Sequence, residues 1–162
     1  MGPSRASGQK NGTSTRSKAR KRALDILFES ELRGSDSLAT LEQRTVDADP
    51  PVRDYTKTLV EGVHEHAARI DERISACLAT GWSLPRTPRV DRSALRIAVF
   101  EIDYSDLPDA VAVSEAIHLV SELSTDDSAS FVNGVLGSVI ATKPSTTESS
   151  TPAEVDPEVS ST

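Results

Sequence analysis

Five cations stand within seven residues, Arg16, Lys18, Arg20, Lys21 and Arg22, in the stretch RSKARKRALDILFESELRG. Side chains of this type at this density neutralise closely spaced anionic groups, and a phosphodiester backbone is the usual polymer that presents them. Residues 1–22 hold seven of the 18 Lys and Arg residues and none of the 25 Asp and Glu residues, so the formal net charge of -7 conceals a basic arm joined to an acidic body. A uniformly acidic surface repels nucleic acid and anionic lipid, whereas a segregated basic arm points to a polyanion partner. The other reading of such an arm is a solvated terminus that keeps the chain soluble.

The remaining reactive side chains do not assemble into a catalytic pattern. His64 and His66 are two residues apart, a spacing that turns them away from each other on a helix and denies them a shared metal. Cys77, the single cysteine, falls at an apolar helical position and reads as a small core residue; no intramolecular disulfide is possible, which suits a reducing cytosol. Glycine-rich phosphate loops, HExxH and GxSxG are absent, so neither a cofactor nor an enzymatic reaction is expected. The first 22 residues lack a signal-peptide core, and no segment approaches the roughly 18 apolar residues of a membrane span. A cytoplasmic protein is the expectation.

The elements that must position the cations are helical. With 162 residues of which 36% are apolar, the chain can bury one modest core. Residues 1–15 (MGPSRASGQKNGTST) and 143–162 (KPSTTESSTPAEVDPEVSST) bury too little to offset their ordering entropy and are expected to be disordered, which leaves a helical domain at 16–142. In residues 17–33, Ala19, Ala23, Leu24, Ile26, Leu27 and Phe28 share one arc, and Gly34 supplies a stop. A short helix is expected over Ser37–Thr45, a third over 51–65 with Asp49-Pro50-Pro51 at its start, and a fourth carrying Ile70, Ile74, Cys77 and Leu78 up to Gly81. VDRSALRIAVFEI is apolar around too much of its circumference for a surface helix and reads as the buried centre. VAVSEAIHLVSEL follows with Ser114 as a possible cap, and Thr125-Asp126-Asp127 precedes a last helix at 128–142. The fold class is all-α, with six or seven helices.

Four of these segments, in this order, resemble the family of the bacterial transcription antitermination factor NusB: ARKRALDILFESELRG, VDRSALRIAVFEI, VAVSEAIHL and STDDSASFVNGVLGSV. The resemblance spans about residues 16–141, and GWSL at 81–84 looks most like the actinobacterial branch. It implies a bundle of two small helical subbundles, without catalysis. It further implies binding of single-stranded boxA RNA in ribosomal RNA leaders, together with a small-subunit ribosomal protein, NusE, so that RNA polymerase reads through terminators. The alternative is a helical protein-interaction module whose arm contacts an acidic protein; the apolar surface of such a bundle could equally close a homodimer.

Carried onto this sequence, the resemblance makes Arg16, Lys18, Arg20 and Lys21 phosphate contacts, with Arg22 partly neutralised by Asp25 one turn on. Phe131 lies beyond the edge of the arc formed by Val132, Val135, Leu136, Val139 and Ile140, toward Gly134 and Ser138; it is expected to be partly exposed and, by resemblance, to stack on RNA bases. Asp91, in the first turn of the central helix, suits the helix dipole and by resemblance faces the basic ribosomal partner. Ser121 replaces a lysine common in the family, and Ser114 replaces a common asparagine, departures that imply either weaker RNA binding or a greater share of the contact for the arm.

Overall fold

The computed structural model describes residues 14–144, which form seven α-helices and one short 3-10 turn. The helices are α1 (Thr15–Arg33), α2 (Ser37–Val46), α3 (Asp54–Glu65), α4 (Ala67–Ala76), α5 (Arg89–Tyr104), α6 (Asp109–Leu123) and α7 (Ser128–Ala141), with the turn at Leu84–Arg86. The tails expected at 1–15 and 143–162 lie mostly outside the described residues; of the first, Ser14 and Thr15 already belong to the cap and first turn of α1.

Local chemistry fixes the ends of α1. The Ser14 hydroxyl accepts from the Ser17 amide at 3.1 Å, and at the other end Gly34 takes φ +65°. The Gly34 and Ser35 amides then donate back to the carbonyls of Glu31 and Ser30, closing a Schellman motif. Two expected starts shift. Helix α3 begins at Asp54, because Pro50 and Pro51 stay in the preceding loop. Helix α6 begins at Asp109, directly after Pro108, so Ser114 lies inside it, exposed, and caps nothing.

Helices α1, α2 and α3 pack on one another, and α4, α6 and α7 pack around α5, giving two subbundles. Helix α5 also touches α1 and α3 and so joins them. Its burial is nearly complete along its length, from Asp91 to Ile102 with only Arg96 partly open, as its all-round apolar pattern predicts. Gly62 of α3 permits a close approach: a Cβ there would overlap the Phe100 ring of α5.

Candidate nucleic-acid interface

The cations at the start of α1 divide between two environments. Arg16 and Lys18 are exposed, and Lys21 and Arg22 are half-buried. Arg20 is only 2% exposed. Its Nε and Nη2 donate to the Glu101 carboxylate of α5 at 3.0 and 2.8 Å, and Glu115 of α6 adds a second carboxylate at 3.6 Å. The Tyr55 hydroxyl of α3 also donates to Glu101, and the Arg16 guanidinium lies 4.5 Å above the Tyr55 ring. Burial alone would lower the Arg20 pKa, but the hydrogen bond to and charge of Glu101 outweigh it and hold the guanidinium above its ordinary value. Burial first, and then the bond to Glu101, push the Tyr55 phenol up to about 12. The expectation that Arg20 presents its charge to phosphate is corrected here: on the helix it falls between Leu24 and Leu27, inside the apolar arc, and an unpaired guanidinium there would be costly.

Lys21 bonds Glu122 of α6 at 2.7 Å, an exposed pair that raises the lysine pKa and lowers that of the carboxylate. Such surface pairs are weak and exchange readily for a phosphate. Arg22 and Asp25, expected to neutralise each other in part, form no ion pair within 4.0 Å. Burial raises the Asp25 pKa, and the Arg22 and Lys21 charges offset this only in part. Lys18, Lys21 and Arg22 border an open cleft of about 600 Å3 that is also lined by Arg44 and Arg53 and by the carboxylates of Asp25, Asp47 and Asp49. Arg44 is engaged by Glu29 across the α1–α2 pair.

Asp91 is also placed differently from its expected open position. It is 2% exposed and accepts hydrogen bonds from the hydroxyls of Ser124 at 2.7 Å and Ser128 at 2.9 Å. The carboxylate therefore ties the start of α5 to the corner between α6 and α7. Phe131, three residues into that corner's helix, is partly buried against the core and partly open. Three residues on, Gly134 is exposed and has nothing within 4 Å of the position a Cβ would occupy.

The histidines of the HEH stretch serve different neighbours. His64 approaches Ser37 at 3.3 Å, while His66 stacks on Tyr104 with centroids 3.8 Å apart. Among the described residues no group of three or more His, Cys, Asp or Glu side chains is placed to hold a metal ion. Cys77 caps α4 and lies 3.9 Å from the Thr142 hydroxyl. No helix among the described residues is long and apolar enough to cross a membrane.

The profile of the NusB family matches residues 17–141. Transcription antitermination protein NusB of a Nocardioides strain is 57% identical over 133 residues, covering 82% of this chain and 98% of that one. The protein of the same name from Thermobifida fusca is 45% identical over 146 residues, covering 90% and 98%. Among solved structures, T. maritima NusB superposes with a TM-score of 0.72 at 29% identity, covering 81% of this chain and 94% of its own. A chain from a crystal structure of antitermination factors NusB and NusE in complex with dsRNA superposes with a TM-score of 0.68 at 27% identity, covering 78% and 96%. With nearly its whole helical bundle matched in sequence and in fold, this chain belongs to the NusB family.

Proposed function

We propose that this protein is a transcription antitermination factor. In this reading it binds boxA-type single-stranded leader RNA of ribosomal RNA operons together with the ribosomal protein NusE, and the complex promotes read-through by RNA polymerase in the cytoplasm. It acts by binding and not by catalysis. The observation that supports it is the cationic edge of α1: in an otherwise acidic protein, Arg16 and Lys18 stand exposed and Lys21 and Arg22 border an open cleft. Charges so placed position a phosphate backbone without reading its sequence, and Phe131 supplies a ring face for a base. Arg20 supports this edge from within by fixing α1 to α5. Asp91 serves the ribosomal partner indirectly, by holding the α6–α7 corner through Ser124 and Ser128.

The test is binding of labelled boxA RNA, of unrelated single strands and of a duplex of the same sequence, with and without NusE, over a range of salt. If about three phosphates are neutralised, the log-log salt slope is near -2, and affinity falls on the order of 20-fold between about 50 and 200 mM. Replacing Arg16, Lys18 and Lys21 together by Ala flattens that slope. A response to salt that is flat from the outset, or unchanged in the triple variant, refutes the assignment of the arm. Retention of NusE binding without any RNA binding favours a protein-interaction module instead.

A further inference from the structure

Trp82 lies in the connection between α4 and the turn at Leu84–Arg86, and it is 48% exposed, an unusual position for so large an apolar side chain. The connection holds it there deliberately. Gly81 takes φ +85°, open to glycine and strained for other residues, and the Trp82 amide donates to the Ala79 carbonyl at 2.9 Å. The ring meets Phe131 edge to face, with centroids 6.3 Å apart and planes 67° to each other. Two aromatic rings from segments about fifty residues apart in sequence thus form a two-walled corner.

The surroundings select what such a corner takes. Residues 78–85 contain no charged side chain, so covering the loop strips no ion of water. Exposed Asp126 and Asp127 at the start of α7 repel a phosphate, which leaves the flat face of a base, and not the backbone, as the group that fits. An exposed arginine, Arg86, follows four residues after the tryptophan and is available to the strand on its way out.

We propose that Trp82 is a second RNA-stacking residue, which with Phe131 holds one unpaired base of the bound strand in the corner between the two rings. This rests on the RNA-binding reading above and adds a contact on the α4–α5 connection, remote in sequence from the basic arm. Stacking is tolerant of base identity and carries no charge, so the corner strengthens binding without adding to its salt dependence.

Trp82 is the single tryptophan of the chain, so its emission reports on this corner alone. The full-length protein is titrated with boxA-containing single-stranded RNA while binding is followed independently by anisotropy of an end label on the RNA. Quenching of Trp82 that saturates together with the anisotropy is the expected result. Trp82→Ala is expected to weaken binding roughly 5- to 100-fold at an unchanged salt slope, the range for one stacked base. Trp82→Phe, which keeps a ring, restores most of the affinity and controls for damage to the loop. If anisotropy reports normal binding while Trp82 emission stays constant and Trp82→Ala binds as the parent does, this proposal is overturned and the RNA-binding function stands. If no RNA is bound by either measure, the antitermination reading fails and this proposal with it. Quenching by NusE alone, with none by RNA, also overturns it and assigns the corner to protein contact.

Discussion

Arg20 and its neighbours Lys18 and Arg22 belong to one run of cations, yet they live in opposite environments. Arg20 is enclosed by Glu101, Tyr55 and Glu115 and locks three other helices to α1. Lys18 and Arg22 line the open cleft and reach toward solvent. The difference teaches that the density of a basic run says where a polyanion binds, while the position of each cation relative to the apolar arc says which of them is free to bind it.

The largest expected effect breaks the buried half of this comparison. Arg20→Met leaves Glu101 buried without its partner and should cost about 3 to 5 kcal/mol in urea unfolding. Arg20→Met combined with Glu101→Leu should recover most of that loss, since an apolar pair replaces an ionic one of similar volume. A single variant that unfolds with parental stability would mean that Arg20 is not enclosed as described. Next is Asp91→Ala, which deprives two hydroxyls of their acceptor; a loss of about 2 to 3 kcal/mol is expected, against a few tenths if the carboxylate were an open contact.

Tyr55→Phe comes third, at about 1.5 kcal/mol near neutral pH, because the lost bond runs to a charged acceptor. It also changes the alkaline limb. The folded protein holds the Tyr55 proton more tightly than the unfolded chain does, with a pKa raised from 10.0 to about 12. Its contribution is therefore complete below pH 10 and is lost as pH rises toward 12, and the Phe variant should lack that part of the decline in a pH series of thermal melts. The smallest effect on stability sharpens the exposed half. Lys18→Ala with Arg22→Ala should shift unfolding by no more than about 0.5 kcal/mol, while reducing the RNA salt slope by about 0.7 in magnitude, the share of the Lys18 contact. A large stability loss there would erase the distinction between the two environments.

Much of the fold was legible because periodicity reports burial. Helix α1 and its glycine stop, the buried α5, and α7 all follow from the placement of apolar side chains. Phe131, read as lying at the edge of the apolar arc, is partly open as expected. The partner of Arg20 was not legible, since Glu101 is 81 residues away and no local spacing announces it. Its burial was, for a cation between Leu24 and Leu27 had to be paired or excluded. Asp91 carried a similar signal: a helix apolar on every side leaves no open face for its first-turn carboxylate. The Trp82–Phe131 corner depends on a long-range approach between a loop and a helix, and neither segment alone encodes it.

The fit of Phe100 over Gly62 has a consequence in genetic terms. A Cβ at 62 would overlap the Phe100 ring, so the ring or the helices around it must shift, and the two positions should behave as a single locus. Gly62→Ala should emerge as a temperature-sensitive allele of antitermination, and a smaller residue such as Leu at position 100 should be its intragenic suppressor. The same Phe100→Leu change in the parent, where it opens a void instead of relieving a clash, should itself be mildly defective. Such reciprocal sign epistasis, scored by growth alone, would report the helix seam in a living cell.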